Sequence, residues 1–338
     1  MDDRRIKVNW GNKVRKFWRI PNESSFDNYF DIVIHDYKSF YDIDFKNDVI
    51  IFGQEDYPSY HVEKIYPLLD SGIKFIVDST YECQSSLLPF LKDYQKNGLV
   101  IMCSDKHDVD GWNQKHFCFV PAMFWYMEYF RLNYESPYWE NRPVLNLNRL
   151  DRKYDFLMPL LKKKFGKELI LNLLNESYDM NKVLYSVGWE NKFLPEGSLN
   201  DRYYNPNWYN SSLYSLVVES SCDQPFFITE KTFKPIMYGH PFIIFGSPGT
   251  LKILKEKGFD TFPELFDESY DDEFDTTSRA QLIIKQIQNL DKINFFIHKM
   301  QIDTKISDNL NRFFNLNLVL SNIDKDIRQP IEKFLYEQ

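Results

Sequence analysis

The hydrophobic positions in the first 135 residues form short apolar runs, and segments with helical spacing lie between these runs. Five runs are rich in β-branched or aromatic residues and predict strands at residues 32–34, 49–52, 75–77, 100–102 and 117–120. Short runs without polar alternation are typical of strands that are buried on both faces of a parallel sheet.

The intervening segments predict helices. Residues 61–69 and 83–94 have apolar positions three and four apart, and Gly72 and Gly98 are the expected helix stops. A further helix is predicted at residues 123–132. Strands that alternate with helices in this way predict βαβ units and therefore an open parallel sheet.

A second series follows a polar segment at residues 134–143, which predicts a linker. Strands are predicted at residues 144–148, 183–186, 214–218 and 241–245, with a long polar stretch before Ser212. Helices are predicted at residues 151–163, 230–238, 250–257 and 277–290. We therefore expect an α/β protein of two Rossmann-like domains, residues 1–140 and residues 141–338, the second ending in helices.

The composition narrows the class of protein. Of 338 residues, 43% are hydrophobic and 27% are charged, which excludes a disordered or fibrous chain. No signal-peptide pattern and no apolar run of about 20 residues is visible, so we expect a cytoplasmic protein without a transmembrane segment. The four cysteines lack CxxC spacing and predict reduced thiols rather than a zinc cluster.

The net charge and the aromatic content alter the predicted class of protein only slightly. A net charge of −8 gives no general attraction for nucleic acid, so a nucleic-acid partner is not expected. The 29 Phe and 22 Tyr, together with scarce alanine, indicate the codon bias of an AT-rich genome, viral or microbial. We expect most of these aromatic side chains to fill the core.

Candidate chemistry lies where the predicted helix at residues 230–238 begins. Thr229 is a good N-cap for this helix. Lys231 in the first turn is unfavourable for the helix unless it faces an anion, such as a diphosphate at the helix N-terminus. Glu230 is able to accept hydrogen bonds from ribose or sugar hydroxyls. The alternative, a capped helix whose Glu230 and Lys231 are only solvated, stays open.

Residues 219–221 (Glu-Ser-Ser), 228–233 (Ile-Thr-Glu-Lys-Thr-Phe) and 239–246 (Gly-His-Pro-Phe-Ile-Ile-Phe-Gly) carry a resemblance. The segment resembles the donor-binding signature of the α1,3-fucosyltransferases, and residues 145–152 are similar to the Asn-Arg…Arg segment that opens the donor half of such enzymes. The resemblance implies a GT-B fold, with two Rossmann-like domains facing across a cleft, and inverting transfer of fucose from a GDP-sugar.

The resemblance also implies roles for single residues. Lys231 is expected to contact the donor diphosphate, Glu230 to bind donor hydroxyls, and Glu219 to lie at a strand tip near the donor sugar. Arg149 or Arg152 would supply a second cation for the departing phosphate. The implied donor-binding set is Asn148, Arg149, Arg152, Glu219, Thr229, Glu230 and Lys231. Ser220 stands where the family has Asn, and the spacing between the three matched segments differs from that of the family. These differences leave the identity of the donor sugar open.

An inverting transferase also needs a base for the acceptor hydroxyl. We expect it at the strand tips of the first half, with Glu55 favoured and Asp78 second. Further candidates are Asp56, His61 and Glu82. The acids at 55 and 56 are also suited to a turn and Asp78 to a helix N-cap, so these structural roles stay open.

Other signals favour ordinary structural roles. The Asp-x-Asp triplets at residues 42–44 and 108–110 do not follow predicted donor-half strands, and no metal is expected. The acidic run at residues 267–275 is expected to be a solvated loop whose acids pair with Arg279.

The sequence therefore predicts a glycosyltransferase that is inverting and metal-independent, moving a sugar from a GDP-fucose-like donor to a hydroxyl acceptor without a cofactor. Two alternatives stay open. One is a non-catalytic module that binds a sugar nucleotide or a glycan, and the other is a transferase that glycosylates modified DNA bases.

Overall fold

The chain divides into two compact units in a computed structural model. One unit contains residues 1–135 and 319–338, and the other contains residues 136–318. The expected boundary was residue 140, and the expected second domain ran to Gln338. The structure describes residues 50–53, 66–67, 69–72, 74–79, 91–103, 112–130, 152–195, 205–223, 227–290 and 292–336.

The first unit contains a four-stranded parallel sheet in the order β1-β2-β3-β4. Its strands are β1 (Ile50–Gly53), β2 (Phe75–Ser79), β3 (Gly98–Met102) and β4 (Phe117–Phe119). Every residue of β3 is buried, as expected for a strand between two neighbours with both faces covered. Four of the five predicted strands are confirmed, and the fifth, at residues 32–34, lies outside the described residues.

Helices of the first unit follow the predicted pattern in part. Helix α1 (Met123–Phe130) confirms the helix predicted there and buries Trp125 and Tyr126. The end of the helix predicted at residues 83–94 is a 3₁₀ segment, Lys92–Asn97. Of the segment predicted as a helix at residues 61–69, residues 66, 67 and 69 are described and are helical.

The second unit contains another four-stranded parallel sheet, in the order β6-β5-β7-β8. Its strands are β5 (Tyr154–Leu160), β6 (Val183–Val187), β7 (Ser212–Val218) and β8 (Phe242–Phe245). All residues of β7 and β8 are buried. The predicted strands at residues 183–186, 214–218 and 241–245 are confirmed. The linker at residues 134–143 and the strand at 144–148 lie outside the described residues.

The helix predicted at residues 151–163 is wrong, because this segment forms β5. Residues 155–158 are all buried between β6 and β7. A short apolar run has the same appearance in a buried strand and in a buried helix, so its periodicity does not distinguish the two. The helix comes later, at α2 (Phe165–Ser177), where Ile170, Leu171 and Leu174 face the core.

Further helices complete the second unit. The stretch expected to be polar and irregular before Ser212 includes the short helix α3 (Pro206–Ser211). Three predicted helices are confirmed as α4 (Glu230–Met237), α5 (Thr250–Glu256) and α6 (Thr276–Asn289). They are followed by α7 (Lys292–Ile297) and α8 (Lys299–Phe313).

The C-terminal segment belongs mainly to the first unit. It consists of α9 (Leu316–Ile323), a π-helical turn (Asp324–Arg328) and α10 (Gln329–Tyr336). The Tyr126 hydroxyl donates to the Asp326 carboxylate over 2.6 Å, and the Cys118 thiol donates to the Asp326 carbonyl over 2.9 Å. These bonds fasten the π-helical turn to β4 and α1. None of the described helices is both long and apolar enough to cross a membrane.

Candidate functional site

The strand order of the second sheet marks one place for a ligand. The chain runs from β5 to β6 on one side and then crosses to β7 on the other side of β5. In open parallel sheets, ligands bind outside the carboxyl ends of the strands at the point where the order reverses. For this sheet, that point lies between the carboxyl ends of β5 and β7.

The two strands separate at this point. The register of β5 with β7 runs from Tyr154–Ser212 to Leu157–Ser215, whereas β5 stays paired with β6 as far as Leu160. The Leu160 N–H faces β6, where it donates to Ser186 Oγ over 3.1 Å. Because successive backbone nitrogens alternate in direction, the nitrogen of Pro159 faces β7, and proline has no hydrogen to donate there.

A narrow cleft occupies the gap that the separated strands leave. Leu157 and Pro159 line it from β5, and residues 215–218 line it from β7. Lys231, Lys234 and Pro235 of α4 form a further wall, and Tyr209 of α3 also lines the cleft. The cleft therefore combines an apolar floor with two cations from one helix.

Glu219 fixes the position of α4. This residue directly follows β7 and is completely buried. Its Oε1 accepts from the Thr229 N–H (3.0 Å) and the Thr232 hydroxyl (2.7 Å), and its Oε2 accepts from the Thr229 hydroxyl (2.5 Å). Glu219 does lie at the strand tip as expected, but its carboxylate holds the helix from inside and is not open to a sugar.

Thr229 is the N-cap, as predicted, and its Oγ1 accepts from the Lys231 N–H over 3.3 Å. The Thr232 N–H reaches the Thr229 carbonyl over 3.3 Å. The N–H groups of Lys231 and Thr232 therefore already have acceptors. An anion at this helix end would be bound mainly by lysine side chains, whereas the sequence predicted that the helix N-terminus itself would hold it.

Glu230 and Lys231 form an ion pair in the first turn of α4. The distance from Lys231 Nζ to Glu230 Oε1 is 2.7 Å, and their side chains are 19% and 24% exposed, so solvent reaches both. Burial by itself raises the pKa of Glu230, but Lys231 and the buried Lys234 outweigh this effect and lower that pKa to about 2. The Glu230 carboxylate is therefore ionised at neutral pH.

Arg152 lies at the opposite edge of the sheet. It precedes β5, and its Nη1 donates to the carbonyls of Tyr209 (2.8 Å) and Ser212 (2.6 Å), which stand before and at the start of β7. A seven-residue strand spans about 20 Å, so the Arg152 guanidinium lies at the amino end of β7, whereas Glu219 and the N-cap of α4 lie at its carboxyl end. The expected role of Arg152 at the departing phosphate does not fit this position. Asn148 and Arg149 lie outside the described residues.

We expect Arg152→Met to destabilise the second unit by about 2–3 kcal/mol, because two buried carbonyls lose a charged donor. The affinity of the folded protein for a nucleoside diphosphate should stay within a factor of about two. Thermal unfolding and isothermal titration of the same preparation measure both quantities. A large loss of affinity in a fully folded variant would show that Arg152 does contribute to the binding of the nucleoside diphosphate.

His240 of the Gly-His-Pro segment is structural. Its ring is buried, with Nδ1 2.8 Å from the Ser215 hydroxyl and Nε2 2.8 Å from the Ser212 carbonyl. Because a carbonyl only accepts, Nε2 carries the hydrogen and Nδ1 accepts from Ser215. Gly239 has a φ of 58°, so the chain turns there from α4 into β8.

The acidic run at residues 267–275 differs from the expected solvated loop. Asp271 is buried and accepts from the N–H groups of Leu251 and Lys252, and thereby caps α5. Burial is the main reason that the pKa of Asp271 rises to about 6. Asp275 caps α6 by accepting from the Ser278 N–H over 2.7 Å. An acid directly ahead of an apolar helix was the signal for the Asp275 cap, whereas Asp271 follows α5 in the chain and gave no such signal.

Arg279 has a function that the sequence did not predict. It is almost completely buried, and it donates to four backbone carbonyls rather than to the neighbouring carboxylates. The acceptors are the carbonyls of Cys222, Gly246, Glu273 and Phe274. Arg279 thus ties together the loops that follow β7 and β8, next to Glu219.

The candidate bases belong to the first unit. Asp78 is the penultimate residue of β2, at the carboxyl end of that strand, where it pairs with Gly53 and Ile101. Glu55, Asp56, His61 and Glu82 lie outside the described residues, as do the triplets at residues 42–44 and 108–110. Among the residues that the structure does describe, no cluster of three or more His, Cys, Asp or Glu side chains is arranged to hold a metal ion.

No known protein family matches the sequence, and no curated protein matches it either. Glu219, Thr229, Glu230 and Lys231 come together at the carboxyl edge of the second sheet, whereas Arg152 does not join them.

Proposed function

We propose that the protein is a glycosyltransferase and that its second unit binds the diphosphate of a nucleotide-sugar donor between β5 and β7. In this proposal the two units are the Rossmann-like domains of a GT-B enzyme. A GDP-sugar related to GDP-fucose is the favoured donor, and a hydroxyl group is the acceptor. Neither a metal nor another cofactor takes part in the proposed reaction.

One observation carries the proposal. Lys231 and Lys234 line a cleft at the topological switch point of the sheet, and a fully buried carboxylate, Glu219, fixes the helix that presents them. Two lysines on one side of an apolar cleft are suited to a group with two adjacent negative charges. A diphosphate is such a group, and a nucleoside supplies the apolar part.

The same cations would serve the chemistry. As the bond between the sugar and the diphosphate breaks, negative charge develops on the departing phosphate. Fixed cations stabilise that charge in the transition state. We propose that Lys231 exchanges its contact with Glu230 Oε1 for a phosphate oxygen, which leaves the Glu230 carboxylate to accept hydrogen bonds from donor hydroxyls.

The base would come from the first unit. Inversion requires a group that removes the proton of the acceptor hydroxyl. Asp78 and Glu55 remain the candidates for this base. The position of Asp78 at the carboxyl end of β2 is compatible with this role. Glu219 acts in the proposal as a positioning residue and not as a catalytic residue.

The proposal is tested by isothermal titration of the full chain with guanosine, GMP and GDP, and with UDP and ADP. We expect GDP to bind at least about tenfold more tightly than GMP, because the second phosphate adds a charge-assisted contact. Release of GDP from GDP-fucose, measured with and without added glycan acceptors, then tests for turnover. Failure of all diphosphates to bind at millimolar concentration would refute the proposed site.

A further inference from the structure

A row of large apolar side chains is exposed on α7 and the start of α8. Four side chains within eight residues expose 59% to 84% of their surface. They are Ile293, Phe296, Ile297 and Met300, called here the α7–α8 stripe. Single exposed apolar residues are common on proteins, but a contiguous group of this kind marks an interaction surface.

The four side chains form one stripe because the helical path continues from α7 into α8. The His298 N–H donates to the Asn294 carbonyl over 3.0 Å, and the Ile302 N–H donates to the His298 carbonyl over 3.0 Å. Positions separated by three, four and seven residues therefore lie on one face.

The other face of these helices is anchored in the core and holds the stripe outward. Phe295 is 4% exposed, and its ring stacks with that of Tyr214 at a centroid distance of 5.6 Å. Ile302 and Ile306 are buried on the inner face of α8. The stripe is thus a rigid outer surface and cannot turn inward without loss of this packing.

We propose that the α7–α8 stripe is the interface through which two copies of the chain form a two-fold symmetric dimer. The stripe exposes on the order of 500 Å² of apolar surface, so two copies bury on the order of 1,000 Å² from these side chains alone. That area reaches the lower limit of specific interfaces before any polar rim is added. A two-fold dimer needs one self-complementary patch on each copy, and an uncharged apolar stripe is self-complementary.

The charges beside the stripe favour a second copy over a lipid surface. Lys299 forms an ion pair with Asp303 one turn later, and Lys305 pairs with Glu264 over 2.6 Å. Helices that lie on membranes carry an excess of Lys and Arg on their polar face. Lys299 and Lys305 are each paired with an acid, so neither presents an unpaired cation to a lipid headgroup or to a second copy.

The first test is sedimentation velocity of the full chain between 1 and 100 µM. We expect a species of twice the chain mass of 40.7 kDa. The double variant Phe296→Ser, Ile297→Ser should raise the dissociation constant at least about 100-fold, because central apolar residues dominate interface energies. The matched control is Phe274→Ser, since Phe274 is 81% exposed but lies outside the stripe. A monomeric wild-type chain, or a double variant that stays dimeric, would overturn the proposal.

A second test measures the formation of a covalent bond between two copies and not the loss of an interface contact. Ile297→Cys in the stripe should give a disulfide-linked dimer under mild oxidation, whereas Phe274→Cys should not. The described native cysteines, Cys103, Cys118 and Cys222, are buried and do not interfere. Equal cross-linking of both variants contradicts the assigned face. Sedimentation of a monomeric wild-type chain with phosphatidylcholine vesicles, lost in the double variant, would assign the stripe to lipid instead.

Discussion

Replacing Glu219 with alanine is expected to lower the free energy of unfolding of the second unit by about 3–5 kcal/mol. The substitution leaves the Thr229 N–H and the Thr232 hydroxyl buried without their acceptor, and each such loss costs about 1–3 kcal/mol. It also removes a packed side chain that is completely buried. For a unit of this size, we expect the midpoint of thermal unfolding to fall by about 6–20 °C.

Two matched variants make the measurement specific. Glu219→Gln keeps an oxygen that accepts from both donors of Oε1, so it should lose only about 1–2 kcal/mol. Glu176→Ala removes an exposed acid of α2 and should change the midpoint by less than about 1 °C. Calorimetry, which resolves the transitions of the two units, is the appropriate method. If Glu219→Ala melts like the wild type, the carboxylate does not hold α4.

Replacing Lys231 with alanine is expected to weaken the binding of GDP by about 10- to 100-fold. One charge-assisted contact to a phosphate is worth about 1.5–3 kcal/mol. The Lys231 side chain is 19% exposed and touches Glu230 and Thr229, so its removal should cost little stability. Titration of wild type and variant with GDP at two salt concentrations should show both the loss of affinity and a weaker dependence on salt.

The control for this experiment is Lys182→Ala. Lys182 directly precedes β6 and therefore lies at the opposite edge of the same sheet, where it is exposed. Lys182→Ala changes the net charge of the unit by the same amount as Lys231→Ala. It should leave the affinity for GDP unchanged within a factor of about two. Equal loss in both variants would indicate a general effect of charge, and no loss in Lys231→Ala would exclude Lys231 from the diphosphate site.

Local patterns were sufficient to predict much of this protein. The strands β7 and β8 are continuous apolar runs, and the N-cap Thr229 stands directly before its helix, so neighbouring residues alone identified them. The alternation of strands and helices predicted parallel sheets, because parallel strands need long crossover connections. The position of Glu219 at a strand tip was implied by the resemblance to the fucosyltransferase signature, and the position of Lys231 in the first turn of its helix followed from the local pattern.

The tertiary structure decided between alternatives that the local sequence pattern did not distinguish. The segment of β5 is apolar enough for either a helix or a strand, and its burial between β6 and β7 made it a strand. The direction of β5 then placed Arg152 at the far edge of the sheet. Sequence by itself thus determined which residues carry charge and where most of the described strands and helices lie. Burial and strand direction, which depend on contacts between distant segments, decided that Glu219 holds the helix while Lys231 faces the cleft.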